Sequence, residues 1–296
     1  MNRASLLATA CAIGLSTITA LSAQEMNQVR QFNTVKQKLA AGERVVGGTV
    51  STADPEIYCS VANAGFDFTW IEMQHSPLSY SDVAKMIWAC RGASAIPFIR
   101  IPDATEGDIQ KATDIGALGI IVPMVDNIEK IRNAVTYAKY PPEGKRSQGG
   151  GQYGALWGRS YRSSANDNIM IIAMIESPAG ARIADEIATV PGVDVVFAAS
   201  SDLGSFTGLR QGDPEYEALV TNIKDATLGA ERFLGGPLAW MSTRPGYRFF
   251  QGPGTASLIR TGARSVLQAA NPCRDLPAGV APIEGEEPCE EVPESR

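Results

Sequence analysis

The chain has 296 residues, 44% hydrophobic and 20% charged, with a formal net charge of −6. Enough apolar surface is present to build a core, so a largely disordered chain is excluded, and the acidic balance argues against a nucleic-acid partner. The one histidine, His75, rules out a multi-histidine metal site and makes it the only imidazole available for proton transfer.

The first residues follow an export pattern. Arg3 supplies a basic start, an apolar run rich in Ala, Leu and Ile follows, and Ala20–Ala23 place small residues before the polar Gln24. This predicts a signal peptide over 1–23 and a periplasmic or secreted protein. Cleavage after Ala23 leaves 273 residues and, with Arg3 lost, a net charge of −7. No later apolar run reaches the roughly 18 residues that span a bilayer, so no membrane association is expected once the signal is removed.

From residue 24 to 270 the pattern predicts one α/β domain. Strands are expected at Val45–Thr49, Phe68–Met73, Pro97–Ile101, Gly119–Met124, Ile169–Ile175, Val193–Ala199, Phe233–Leu238 and Tyr247–Gln251. Helical periodicity falls at Tyr80–Cys90, Ile128–Lys139, Ala179–Ala188, Glu215–Ala226 and Thr255–Ala269. Strands alternating with helices imply a parallel sheet, and eight such units at this length fit a (β/α)8 TIM barrel. A doubly wound open sheet fits less well, because no G-x-G-x-x-G follows the first strand. The longest irregular piece, Pro141–Asp167, carries the glycine-rich Ser147–Gly154; it reads either as a surface loop or as an active-site loop approaching a small anion. The last segment, 271–296, is an acidic, proline-rich tail in which a Cys273–Cys289 bridge is the expected pairing. Cys59 and Cys90, in separate helical segments, read as buried thiols.

A barrel carries its chemistry at the C-terminal ends of its strands. There the sequence places Glu72, Gln74 and His75 after the second strand, Arg100 on the third, Glu176 after the fifth, and Ser201 and Asp202 after the sixth. Glu176 and Asp202 offer hard oxygen donors, which suit Mg2+ or Mn2+ with water and substrate completing the shell. Arg100 can hold a carboxylate or stabilise an oxyanion, His75 can move protons near neutral pH, and Glu72 is placed to orient its ring. Together these groups describe enolisation of a 2-oxo acid. A carboxylate pair also serves a glycosidase as acid and base, and each residue also has a structural reading: Arg100 as a barrel ion pair, Glu176 and Asp202 as helix caps.

Several stretches resemble one family in order: Ala64–Asp67, Glu72-Met73-Gln74-His75, Phe98-Ile99-Arg100, Val122–Val125, Tyr140–Arg146, Ala165–Asp167, Met174–Glu176 and Ser201–Leu203. The chain resembles the HpcH/HpaI aldolase/citrate lyase family, metal-dependent pyruvate aldolases of the hydroxy-heptenedioate aldolase type. The resemblance implies a TIM barrel and reversible aldol cleavage of a 2-oxo acid such as pyruvate with an aldehyde. It implies Glu176 and Asp202 as ligands of Mg2+ or Mn2+, with Co2+ also admissible, and His75 as the catalytic histidine. Arg100 would contact the pyruvate oxygens, and the Ser201 N–H the substrate carboxylate. A homo-oligomer, trimer or hexamer, with its last helix packed on a neighbour, is implied as well. Two departures stand out: Glu72 replaces the family's aspartate and Gln74 its glutamate, which removes a negative charge from the site. These changes and the exported location keep two further readings open, a non-catalytic periplasmic protein binding small carboxylates and an acyl-CoA lyase-like enzyme. The aromatic residues Trp157, Tyr161 and Trp240 are candidate pocket walls.

Overall fold

A computed structural model of the protein describes residues 30–270. The expected signal peptide over 1–23 and the tail over 271–296, with its Cys273–Cys289 bridge, lie outside the described residues. Eight strands form a closed, all-parallel barrel in sequence order: β1 (Val45–Val50), β2 (Phe68–Glu72), β3 (Ile96–Arg100), β4 (Gly119–Val122), β5 (Met170–Ile175), β6 (Val195–Ala198), β7 (Phe233–Pro237) and β8 (Tyr247–Gly254), which closes on β1. The predicted TIM barrel is therefore present. Strands β2 to β6 are buried along their whole length, because side chains fill the inside and helices cover the outside.

The helices are α1 (Thr34–Ala40), α2 (Pro55–Ala62), α3 (Tyr80–Ala89), α4 (Glu106–Asp114), α5 (Ile128–Ala138), α6 (Tyr153–Trp157), α7 (Tyr161–Asn168), α8 (Pro178–Arg182), α9 (Ala184–Thr189), α10 (Ser200–Thr207), α11 (Pro214–Gly229) and α12 (Thr255–Ala270). The first five open on Asn33, Asp54, Ser79, Thr105 and Asn127, whose side chains accept a backbone N–H of the first turn. Ser79 and Asp82 cap each other reciprocally, which fixes where α3 starts after the His75 loop. No described helix is long and apolar enough to cross a membrane.

The barrel interior is stacked with aromatic rings. Phe68 meets Phe98 at 4.8 Å and Phe249 at 4.6 Å between ring centroids, and Trp70 packs on Phe197 at 5.4 Å. Two glycines make the room. A Cβ on Gly47 would stand 2.2 Å from the Phe68 ring, and one on Gly119 would stand 2.2 Å from the Phe98 ring. The interior is thus a solid aromatic plug, and the polar end of the barrel rests on it.

Two expectations are corrected. The helix predicted over Ala179–Ala188 is two helices, α8 and α9, broken at Ile183 (φ −112°, ψ 24°). Gly180 lets α8 press on the Val125 carbonyl, which a Cβ would approach to 2.4 Å. The chain then redirects so that α9 packs on α11. The irregular stretch 141–167 contains α6 and α7, and its glycine-rich part is not an active-site loop. It follows a helix and leads into a strand, which puts it at the N-terminal end of the barrel. Its contacts agree: Gln152 donates to the Ile115 carbonyl and Trp157 to the Gly116 carbonyl, both ahead of β4. Buried Arg146 fastens this end, bonding Tyr161 Oη and Asp114, each at 2.9 Å.

Because Phe98 is wedged between two other rings, Gly119→Ala should destabilise the fold by about 1–3 kcal/mol, and Phe98→Leu in the same chain should return part of it. Urea unfolding of the two variants checks this; equal stability of Gly119→Ala and wild type would refute a fully packed interior.

Candidate active site

The site begins with strand register. In the β2–β3 pair, Glu72 sits directly beside Arg100, and both side chains point inward at the C-terminal end of the barrel, above Trp70. Arg100 Nε donates to Glu72 Oε2 at 2.6 Å and Nη2 lies 2.5 Å from the same oxygen. The indole of Trp70 donates to that oxygen at 3.3 Å. Glu72 Oε1 accepts the backbone N–H groups of Gln74 (2.9 Å) and His75 (3.0 Å). One carboxylate therefore fixes the guanidinium and also folds the turn that presents His75. Glu72 does not orient the histidine ring, as the sequence reading had it; its oxygens are taken by Arg100, Trp70 and two amides. His75 itself is exposed at the mouth.

Glu176 follows β5 and is 2% exposed. Its Oε2 accepts the Met124 N–H at 3.2 Å; Met124 has a left-handed backbone (φ 50°), a conformation costly for a residue with a Cβ and frequent at functional sites. Its Oε1 is buried without a hydrogen-bond partner and stands 3.9 Å from Arg100 Nη1. Burial pushes the Glu176 carboxyl up to about 7; Arg100 opposes that rise and Asp202 adds to it. Asp202 lies in the first turn of α10, where Ala199 is the N-cap and no side chain caps the helix. The cap of α8 is Ser177, bonded to the Gly180 N–H at 3.2 Å. Neither Glu176 nor Asp202 is used as a cap, so the structural reading of both is set aside.

These groups surround a cavity of about 250 Å3 at the C-terminal mouth, lined by His75, Arg100, Met174, Phe197, Ala199, Ser200, Ser201, Asp202, Pro237 and Gln251. Glu72 and Glu176 stand just behind that wall, in contact with Arg100. Ser200 and Ser201 open α10, so their backbone N–H groups and the positive end of the helix face the cavity. Tyr216 of α11 holds this turn by donating to the Ser200 carbonyl at 3.0 Å. Gln74 is half-buried with Oε1 unpartnered, and it is not part of the cavity wall. Trp157 and Tyr161 lie at the opposite end of the barrel, and Trp240 is buried against Tyr247, 5.2 Å between centroids; none of the three lines the mouth. Pro237, the last residue of β7, and Gln251, its register partner on β8, do. The strand-end rule that located Arg100 points to both.

The donor chemistry fits a hard cation. Glu176 carries an unpartnered buried oxygen and is close enough to Asp202 for their charges to repel, and each offers hard carboxylate oxygens as donors. Among the described residues no group of three or more His, Cys, Asp or Glu is gathered around one point, so water and substrate would complete the shell, as magnesium and manganese accept.

Comparison with known proteins fixes the family. The model of the HpcH/HpaI aldolase/citrate lyase family matches residues 49–235. A hydroxypyruvate/pyruvate aldolase of Roseovarius nubinhibens is 32% identical over 197 residues, 66% of this chain and 76% of that protein. A 2-dehydro-3,6-dideoxy-6-sulfogluconate aldolase of Pseudomonas putida is 28% identical over 257 residues, 83% of this chain and 98% of that one. The structure of an HpcH/HpaI family protein from Burkholderia cenocepacia superposes with a TM-score of 0.73 at 26% identity, covering 80% and 99% of the two chains. The chain belongs to the HpcH/HpaI aldolase/citrate lyase family, and it is a carbon–carbon lyase of the aldolase type. The non-catalytic binding protein and the acyl-CoA lyase are not favoured.

Removing Glu72 leaves a buried guanidinium uncompensated. Glu72→Ala should therefore cost about 3–5 kcal/mol of stability, and Glu72→Ala with Arg100→Met should cost clearly less than the two single changes added together. A double-mutant cycle by denaturant unfolding reads this coupling; strict additivity would mean that the pair does not hold the site.

Proposed function

We propose that this aldolase takes pyruvate or a close 2-oxo acid as its nucleophilic partner and an aldehyde as its electrophile. It works with a divalent cation, Mg2+ or Mn2+ (Co2+ also fits), between Glu176 and Asp202. The observation that carries the reading is the convergence of Arg100, His75, Asp202 and the Ser200–Ser201 amides on one small cavity backed by Glu72 and Glu176. The similarity to relatives named as aldolases supports it. In its N-terminal pattern the chain is an exported protein, periplasmic or secreted.

When bound, the cation supplies Lewis-acid polarisation of the 2-oxo group. The chain's own residues do the rest. The N–H groups of Ser200 and Ser201 receive the substrate carboxylate, where the α10 dipole favours negative charge. Arg100 is held by Glu72 through Nε and Nη2, which leaves Nη1 directed at the oxygen that gains charge as the enolate forms. In the cleavage direction His75 takes the proton of the C4 hydroxyl, the C3–C4 bond breaks, and its electron pair moves onto the 2-oxo oxygen facing Arg100. His75, exposed at the mouth, can then return the proton to C3 after the aldehyde leaves. Met174 and Phe197 form the apolar floor that keeps water from the enolate carbon.

The assembly is an oligomer in this reading, trimer or hexamer. Its support is α12, which leaves Ile259 (58% exposed) and Val266 (68%) in solvent with Leu267 beside them, an apolar face suited to a neighbouring subunit. Light scattering should return a mass of three or six chains, and a monomer at micromolar concentration would contradict it.

Pyruvate consumption in the presence of glycolaldehyde tests the chemistry. We expect the rate to vanish with EDTA, to return with Mn2+ or Mg2+, and to fall by about 10²–10⁴ in His75→Ala. Glu176→Gln should lose both activity and the response to added metal. Wild-type turnover in either variant would overturn these roles.

A further inference from the structure

Cys59 and Cys90 lie outside the catalytic cavity and nothing in the mechanism uses them. Cys59 is on α2, Cys90 ends α3, and both are half-buried free thiols in this structure. The two helices pack side by side on the barrel wall. Cys59 and Cys90 face the same seam between these helices, where one side chain reaches both segments. Asn63, which ends α2, bridges the two segments: its Nδ2 donates to the Cys59 backbone carbonyl at 2.8 Å and to Cys90 Sγ at 3.3 Å. The backbone is tied at the same point, since Ala95 N–H donates to the Ala62 carbonyl at 3.2 Å.

We propose that Cys59 and Cys90 are a disulfide-forming pair whose bond cross-links α2 to α3. The chain between them contains β2 and the turn that carries Glu72 and His75, so the bond would close a covalent loop around the unit that presents the catalytic histidine. Closing such a loop limits the unfolded chain and stabilises the fold. The reaction is a thiol–disulfide exchange with an external disulfide, R–S–S–R. One cysteine thiolate attacks it and releases RS⁻; the second attacks the mixed disulfide, forms the Cys59–Cys90 bond and releases the second RS⁻. The two electrons end on the external disulfide, which is reduced, and the two cysteine protons on its released sulfurs.

Burial and the neighbouring sulfur of Cys90 push the Cys59 thiol up to about 12, so in the finished fold it is a poor nucleophile near neutral pH.

The test uses the full chain, made once through an oxidising secretory compartment under a grafted signal and once reduced in a cytoplasm. Both samples are alkylated and digested with trypsin. Cleavage at Arg44, Lys85 and Arg91 puts Cys59 in peptide 45–85 and Cys90 in peptide 86–91. In the secreted sample we expect these two peptides joined and separated by reductant. The melting temperature should fall by about 5–10 °C on reduction. That drop should be absent in Cys59→Ser and in Cys90→Ser, and should persist in Cys273→Ser/Cys289→Ser. Two alkylated free peptides from folded secreted protein, or either cysteine joined to the tail instead, would overturn the proposal. So would a drop on reduction that survives in Cys59→Ser. The grafted signal supplies the oxidising setting whatever the natural location, and no assay of turnover is involved, so failure here is separate from failure of the aldolase reading.

Discussion

The buried pair between Glu72 and Arg100 is the interaction on which the site depends. A guanidinium enclosed at the end of a barrel needs a carboxylate, and the β2–β3 register places one beside it. Once paired, Glu72 has a second oxygen to spare, and that oxygen gathers the amides of Gln74 and His75. Strand pairing, charge compensation and the shape of the turn that presents His75 are thus one event. The Glu72 side chain is long enough for this double duty, reaching both the arginine and the turn. The consequence for His75 is freedom: its ring is not clamped by Glu72 and stands at the open mouth.

That pair rests on packing below it. Trp70, Phe68, Phe98 and Phe249 fill the barrel, and Gly47 and Gly119 give the rings their space. With the interior solid, the polar residues above cannot sink into the core, and the differences among them come from their surroundings. Glu176 is sealed in, its carboxyl pushed up and one oxygen left without a partner. Asp202 sits partly open on the first turn of α10. One buried and one accessible carboxylate, with an arginine beside the first, form a site that gains from a cation and from an anionic substrate.

Much of this was legible in the sequence. Eight apolar β-rich runs separated by helical patterns are a strong signal for a parallel barrel, and the rule that chemistry sits at strand ends found Arg100, Glu176, Asp202 and Ser201. The same rule reaches Pro237, the last residue of β7, and Gln251, its register partner on β8, neither of which was named from the sequence. Glu72 was assigned to the wrong partner: proximity in sequence favoured His75, whereas the strand register, a long-range fact, favoured Arg100. The glycine-rich segment read equally as a surface loop or as an active-site loop, and its place after a helix and before a strand, at the other end of the barrel, excludes the second. The break at Ile183 depends on Gly180 meeting the Val125 carbonyl, a contact between elements far apart in the chain, which local periodicity does not register.

The central claim is that this mouth enolises a 2-oxo acid. Proton NMR of pyruvate in D2O with the Mn2+-free, Mg2+-loaded protein tests it without any knowledge of the aldehyde. The account predicts loss of the methyl signal through exchange, stopped by EDTA and in Arg100→Met. A folded, metal-loaded protein that leaves the methyl protons unexchanged would contradict it.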